Sequence, residues 1–321
     1  MIRFGVMGLG NIAHRVIQGI LSVDDACLYA VCSRSIDKAN QYKEQYHACV
    51  SYGSYEDMLQ DKNVDVVYIC TPNHLHLEQI LLCFSYGKHV ICEKPMVRSN
   101  EELARLEQAS KKNRCFLMEA HKTCFIPVNV EIRKRLQSGQ YGKILSIQAD
   151  YSYDCKDQYE KDSWAMNPLY GGSSYDVGVY PICFCHYMAN SEMKHIVASP
   201  IRYQDYQCDF GMMSQIQYEN GIVAQANCSW LYYSENKGKA IIVTEQGTIT
   251  IPSFWKSEVV FIDMNGKKEQ LTIKMKSDFA GEIQEACDCL NEKRMSKVMN
   301  FKMSHDILDV VECVNEYRLN L

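Results

Sequence analysis

Along the first 120 residues, short apolar runs alternate with stretches of helical periodicity. Residues 2–7, Ile-Arg-Phe-Gly-Val-Met, make the first run and predict a strand. Further runs predict strands at 27–32, 64–70, 88–92 and 115–119, the last taken as a sixth strand. Helices are predicted from the turn after residue 10 to about residue 21, and at 36–46, 76–84 and 101–112. Strands alternating with helices of about 10–15 residues indicate a parallel, doubly wound sheet.

From about residue 139 the period shortens. Residues 143–153 place Ile144, Ser146, Gln148 and Asp150 against Leu145, Ile147, Ala149 and Tyr151. Strands are predicted there and at 196–203, 210–218, 222–231, 239–243, 248–251, 258–263 and 269–273. Asn220-Gly221, Gln246-Gly247 and Asn265-Gly266 supply tight turns, so this sheet is expected to be antiparallel. Helices at 279–290 and 304–317 close the chain. The fold class is therefore an α/β Rossmann domain with a parallel doubly wound sheet, plus an α+β domain with a large, mostly antiparallel sheet. The expected boundaries are 1–120 and 121–321, with the C-terminal helix free to pack back on the first domain.

Composition narrows the class of partner. The chain has 321 residues, 47% apolar and 23% charged, with a net charge of −5, which suits a globular protein of one large or two medium domains. It shows no basic stripe, so nucleic acid is not expected. No apolar run approaches the length of a membrane span, and the first seven residues are too short for a signal peptide. The sixteen cysteines are scattered; Cys32, Cys70, Cys92 and Cys115 fall in or beside apolar runs, as small buried hydrophobes do. Cys183-x-Cys185-His186 and Cys287-x-Cys289 lack zinc-ligand spacing, so no metal is expected. Reduced thiols and no export signal point to the cytoplasm.

Three stretches carry candidate chemistry. Gly8-Leu9-Gly10-Asn11-Ile12-Ala13 is G-x-G-x-x-A between a strand and a helix, the context that a dinucleotide fingerprint requires. Its glycines let main chain approach a pyrophosphate at a helix N-terminus. At the end of the second strand stand Ser33 and Arg34 rather than an acid, which favours the 2′-phosphate of NADP, with NAD possible. An ordinary solvent-facing arginine reads the same way, and Asp37 suits the start of the next helix. Val90-Ile91-Cys92-Glu93-Lys94-Pro95 ends a buried strand with a lysine where ligands bind in an open α/β sheet. A solvated Glu-Lys pair at a strand end is the plain alternative. Gly171-Gly172-Ser173-Ser174-Tyr175-Asp176-Val177-Gly178-Val179-Tyr180 predicts a turn and serine caps opening a helix. Asp176 and Tyr180 would share one face, and Gly178 would leave room for a close approach. An acidic first turn beside a buried tyrosine fits equally.

Taken together, these residues resemble the glucose–fructose oxidoreductase / inositol dehydrogenase (Gfo/Idh/MocA) family. The resemblance spans the chain: G-x-G-x-x-A, Thr71-Pro72-Asn73 with His76, Glu93-Lys94-Pro95, Met118-Glu119-Ala120, and Gly171-Gly172 through Asp176-x-Gly178. It implies a cofactor site from Gly8, Leu9, Gly10, Asn11, Ile12, Ser33, Arg34, Thr71, Pro72, Asn73, His76, Glu93 and Lys94. It implies Lys94, Asp176 and Tyr180 as catalytic groups. Many members have histidine where this chain has Tyr180, which is similar to the dimeric dihydrodiol dehydrogenase and glucose–fructose oxidoreductase branch. Lys122 and Cys124 depart from the tryptophan and arginine of dihydrodiol dehydrogenases, and Ala165 replaces the common arginine after Trp164. An aromatic diol substrate is therefore not carried over.

The expected activity is an NAD(P)-dependent oxidoreductase acting on CH–OH groups of a sugar, polyol or related hydroxy/keto compound. Hydride transfer from a carbinol needs a group that takes the hydroxyl proton. A nearby cation such as Lys94 would favour the Tyr180 phenolate. The alternative is a catalytically silent NAD(P)-sensing regulator; an enzyme that retains and recycles its cofactor is a third reading. The strand at 209–218 sets Phe210, Met212, Ile216 and Tyr218 against Met213 and Gln215, and that at 222–231 sets Ile222, Ala224 and Ala226 against Val223 and Trp230; apolar residues on both faces predict a homodimer or dimer of dimers through the face that no helix covers.

Overall fold

The computed structural model describes residues 1–155, 157–160, 163–232 and 238–319. The chain divides into two compact units, the first made of Met1–Lys122 and Met275–Ser304, the second of Thr123–Lys274 and the chain from His305 onward. The first crossing lies between Lys122 and Thr123, against an expected boundary at 120/121. The chain then returns to the first unit over Met275–Ser304.

The first unit opens with β1 (Ile2–Met7), α1 (Asn11–Leu21), β2 (Ala26–Cys32), α2 (Ile36–Tyr46), β3 (Val50–Tyr52), α3 (Tyr55–Gln60) and β4 (Val66–Ile69). It continues through α4 (His76–Ser85), β5 (His89–Glu93), α5 (Asn100–Asn113) and β6 (Leu117–Ala120). The strands form one sheet in the order β3-β2-β1-β4-β5-β6, every pair parallel. All of β4, and β5 beyond His89, are buried, which is why both read as continuous apolar runs. β3 and α3 were not expected. β3 has three residues and no apolar run, and α3 is short, held at its start by Ser54 Oγ, which accepts from Asp57 N at 3.2 Å. With β3 the sheet has its six strands.

The second unit begins with α6 (Pro127–Gln137), also not expected from the pattern, which has proline at its first turn. There follow β7 (Ile144–Ser152), α7 (Val179–Ala189), β8 (Met193–Ile201), β9 (Gly211–Tyr218), β10 (Val223–Ser229), β11 (Lys239–Thr244), β12 (Gly247–Pro252), β13 (Val259–Met264) and β14 (Lys267–Thr272). Eight strands pair in the order β14-β13-β12-β11-β7-β10-β9-β8. Only β7 and β10 run parallel, because α7, β8 and β9 intervene in sequence before the chain returns beside β7. α7 is buried on nearly every side and packs on β7 and β10. An apolar helix without a polar face belongs inside a core.

The outer face of this sheet differs from expectation. On β9, Met212, Ile216 and Tyr218 point inward, and Met213, Gln215 and Gln217 point out. Gln225 pairs with Gln215 on one side and Gln148 on the other, which puts a row of glutamines across the centre. Trp230 is not on that face: it is 0% exposed and meets Phe210 edge to face at 5.6 Å.

The last helices are α8 (Ala280–Glu292) and α9 (Phe301–Leu319). α8 belongs to the first unit, where Phe279 abuts α1. A Cβ at Gly19 would lie 2.6 Å from that of Phe279, so the two segments touch main chain to side chain.

Candidate active site

In the first unit the parallel sheet brings the carboxyl ends of β1, β2, β4 and β5 to one edge. Gly8 N donates to Cys32 O at 3.0 Å and Cys70 N to Met7 O at 2.8 Å, which seats the turn after β1 between the ends of β2 and β4. Gly8 has φ +88°, and a Cβ there would lie 2.7 Å from Thr71 Cγ2. A Cβ on Gly10 would meet nothing within 4 Å. Gly10 is also the N-cap of α1, with no side-chain cap and no acid in the first turn. Leu9 is buried, Gly10 and Asn11 are exposed and Ile12 is half-buried. An uncovered helix start with space before it fits a dinucleotide pyrophosphate.

Ser33 and Arg34 follow β2. Ser33 Oγ accepts from Ser35 N at 3.3 Å. Arg34 is exposed and, among the described residues, pairs with no acid. Asp37 lies in the first turn of α2, whose N-cap Ser35 accepts from Lys38 N. Arg34 thus remains available for a phosphate.

Beyond β4, Thr71 Oγ1 donates to Gln79 Oε1 at 2.5 Å, and Pro72 leads into the short turn Asn73–Leu75, where Asn73 is buried. His76 Nδ1 lies 3.0 Å from Pro95 O and its Nε2 2.8 Å from Thr71 O. Burial pushes the imidazole towards its neutral form, while the two carbonyls favour the proton. Both ring nitrogens are spent on main chain. His76 therefore ties the turn after β4 to the turn after β5 rather than presenting a ring nitrogen to a cofactor.

Lys94 stands just past the end of β5, followed by a cis peptide to Pro95. Behind it lies a buried network that the sequence did not reveal. Tyr68 Oη is 3.2 Å from Glu93 Oε1 and 2.7 Å from Glu282 Oε1. One hydroxyl can donate only once, so the two acids compete for the Tyr68 proton, and the bond to Glu282 is the shorter. Burial raises Glu282 to about 8, with Glu93 beside it adding to the effect, and burial raises Glu93 as well, against the pull of Lys94. Nearby, Glu119 accepts from Met96 N at 2.9 Å and Ser304 Oγ at 2.6 Å. Burial alone would raise Glu119, but His121 and these bonds hold it below the usual range. Lys122 is buried in an ion pair with Asp278 and sits 4.9 Å from the centre of the Phe279 ring; burial pushes its pKa down. Lys122 is thereby held within the first unit's own packing.

In the second unit, Asp176 lies on a π-helical turn, Ser174–Gly178, and Tyr180 on the first turn of α7. The wider turn changes the simple four-residue spacing. Ser173 and Ser174 are not caps: their hydroxyls donate to buried Asp209 at 2.6 and 2.9 Å. The space at Gly178 is used by packing, since a Cβ there would lie 3.1 Å from Cys228 Sγ. Gly171 is pinned as well, a Cβ there falling 2.3 Å from Ala165 O.

Aromatic rings surround these two residues. Tyr151 stacks on Trp255 at 3.7 Å and meets Tyr180 edge to face at 5.4 Å. Tyr159 Oη donates to Asp176 Oδ2 at 3.4 Å, and its ring lies 5.3 Å from Trp230. Burial, then the negative Asp176, drive the Tyr153 hydroxyl well above its ordinary value. Alternation along β7 set Tyr151 in one row with Ile147 and Ala149, which are buried; Trp255 and Tyr159 had no signal in sequence. His186 pairs with Asp306 at 2.8 Å, within the packing of α7 and α9. Cys124 Sγ lies 3.2 Å from Cys183 Sγ. The loop stretches at 155–167 and 232–237 include positions outside the described residues. Among the described residues there is no cluster of His, Cys, Asp or Glu suited to a metal.

A family model described as an oxidoreductase family with an NAD-binding Rossmann fold matches residues 2–121, and one described as the GFO/IDH/MocA C-terminal domain matches residues 129–250. The chain belongs to the Gfo/Idh/MocA oxidoreductase family. It is an NAD(P)-dependent oxidoreductase of that family, and no helix among the described residues is long and apolar enough to cross a membrane. It is 27% identical over 274 residues to trans-1,2-dihydrobenzene-1,2-diol dehydrogenase of Xenopus tropicalis, covering 84% of this chain and 81% of the relative. It is 34% identical over 187 residues to the NADP(+)-dependent scyllo-inositol 2-dehydrogenase of Bacillus subtilis (strain 168), covering 57% and 56%. The aldose-aldose oxidoreductase of Caulobacter crescentus has the same fold, with a TM-score of 0.89 at 21% identity over 99% of this chain and 98% of that one.

Proposed function

We propose that this Gfo/Idh/MocA member is an NADP-dependent oxidoreductase acting on CH–OH groups of a sugar, polyol or related hydroxy/keto compound. The observation that carries the reading is the carboxyl edge of the first unit, where an open Gly10, an acid-free Arg34 and Lys94 stand at one end of the sheet. The relatives named for dihydrodiol and inositol dehydrogenation point to the same substrate class.

Gly8–Ile12 would hold the pyrophosphate, Ser33 and Arg34 the 2′-phosphate, and Thr71–Asn73 with Glu93 and Lys94 the nicotinamide end. Bound there, the dinucleotide supplies hydride acceptance or donation at its nicotinamide ring. The chain supplies the proton route. Tyr180 takes the hydroxyl proton during oxidation and returns it during reduction. The Lys94 ammonium favours negative charge on that oxygen and on the phenolate. Asp176, which accepts from Tyr159, holds a further substrate hydroxyl. The Tyr151–Trp255 stack offers a flat apolar wall beside them.

Absorbance of the reduced nicotinamide during a sugar and polyol screen tests the reading. Turnover with NADP on at least one such compound is expected; a protein that binds NADP but turns over none of them overturns it. The outer face of the eight-stranded sheet, with Val197 and Met213 62% and 63% exposed beside the glutamine row, supports a two-fold dimer through that face. Light scattering at micromolar concentration should give twice the chain mass or a multiple of it. Sixteen free thiols suit the reducing cytoplasm.

A further inference from the structure

The first unit carries a cavity at the edge of its sheet opposite the nucleotide turn. It has a volume of about 620 Å³ and lies where β5 and β6 begin and where α5 and α8 end. Five residues of strand separate it from Lys94, roughly 16 Å at the usual rise per residue. Its floor is apolar, from Phe116, Leu290 and Phe301, and Met295 at its lining is 37% exposed. Its charged lining is all of one sign: Lys111, Arg114, Lys293 and Arg294, with no carboxylate.

Two of these cations are committed and two are not. Lys111 pairs with Glu107, and Arg294 with Glu285 and Glu292. Arg114 and Lys293 pair with no acid among the described residues. Each caps a helix C-terminus, an ordinary place for a cation. Both do so in the left-handed region, at φ 55° and 53°, where glycine is the unstrained choice and a long side chain gains nothing locally. The last donor is His89. Its Nδ1 accepts from Phe116 N at 2.9 Å, so the proton of the neutral ring sits on Nε2. Burial favours the neutral ring, and Nε2 makes no hydrogen bond among the described residues. A pocket of this size with an apolar floor and a few convergent polar groups has the character of a small-molecule site.

We propose that this cavity binds a small amphipathic anion, an apolar body ending in a carboxylate or phosphate monoester, with Arg114, Lys293 and His89 Nε2–H holding the head. The proposal is independent of the catalytic assignment, since every residue it uses lies outside the nucleotide edge. The test titrates the NADP-loaded protein by calorimetry with decanoate and decyl phosphate below their micelle concentrations. Decanol and inorganic phosphate serve as tail-only and head-only controls. Saturable binding of at least one amphiphile, at least ten-fold tighter than either control, is expected. Arg114→Asn/Lys293→Asn removes both charges with a residue that tolerates the left-handed backbone. It should weaken that binding at least ten-fold and leave NADP binding unchanged, which reports that the first unit is still folded. Binding of neither amphiphile, equal binding of decanol or phosphate, or undiminished binding in a double variant that holds NADP would each overturn the proposal. Should the double variant lose NADP, Arg114→Asn alone decides by the same criterion.

Discussion

In the first unit, the groups that gather at the carboxyl edge of the sheet are held largely through main chain. Gly8 hangs from Cys32 O, and His76 bridges two carbonyls. In the second unit, the groups around Asp176 and Tyr180 are side chains from distant positions: Tyr151 on β7, Tyr159 in the loop after it, Trp255 beyond β12. A main-chain cradle suits a ligand that is always the same, because it recognises phosphate and tolerates few changes. A side-chain wall can be altered one residue at a time without disturbing the sheet, as a substrate site requires.

The largest expected effect breaks the contrast at its chemical end. Lys94→Ala should lower turnover by about two orders of magnitude or more while cofactor affinity stays within a few-fold, the scale of a lost proton-transfer or oxyanion group. Tyr180→Phe should lower turnover comparably, since it removes the proposed proton carrier and little volume. Steady-state rates with NADP affinity measured separately check both. If either variant keeps full turnover, that residue has no part in the proton route.

Next comes Arg34→Ala. NADP affinity should fall roughly ten-fold or more with NAD affinity nearly unchanged, because only the 2′-phosphate loses a charge-assisted contact. Fluorescence titration with each nucleotide decides; an equal loss for both would mean that Arg34 does not read the phosphate.

The two glycines sharpen the main-chain half of the comparison. Gly10→Ala should fold with the wild-type melting temperature, because its Cβ enters open space, yet bind NADP several-fold more weakly, because that space is the proposed pyrophosphate site. Gly8→Ala, at φ +88° and 2.7 Å from Thr71 Cγ2, should also lose about 1–2 kcal/mol of stability. Equal melting temperatures in the two variants would contradict this division.

The halves also differ in how far sequence could describe them. Gly8–Ala13 and Glu93–Pro95 are contiguous, and each takes its meaning from one strand and one turn, so strand pattern and motif together located them. The Asp176–Tyr159 contact joins residues 17 apart, and the Tyr68–Glu282 bond spans 214 residues and depends on the return of α8 to the first unit. Periodicity carries no information about such pairings. It also misled where packing overrode a local rule. Ser173 and Ser174 have the composition of helix caps but bind Asp209, whereas Trp230 keeps the parity of Ala224 and Ala226 and is buried as they are. β3 and α3 escaped notice for a simpler reason: each is too short to show a period.

The smallest effect on turnover is expected from Glu282→Gln, and its signature lies in pH. Glu282 is buried, accepts from Tyr68 and has its pKa raised from 4.5 to about 8, first by burial and then by Glu93. A raised folded-state value means that the folded protein holds a proton that the unfolded chain has released. Stability from this group is therefore complete below about 4.5 and is lost as pH rises to about 8. Glutamine stands in for the protonated acid: its amide oxygen still accepts from Tyr68, and nothing titrates. At neutral pH the charge on Glu93 behind Lys94 is then the same in both proteins, so turnover should change by less than about two-fold. At pH 5 the two should melt at nearly the same temperature. Towards pH 8 the wild type should fall behind by an amount on the order of a few kcal/mol, several degrees for a chain of this size. Melting curves across that range provide the check. Parallel curves would show that Glu282 is ionised in the folded protein.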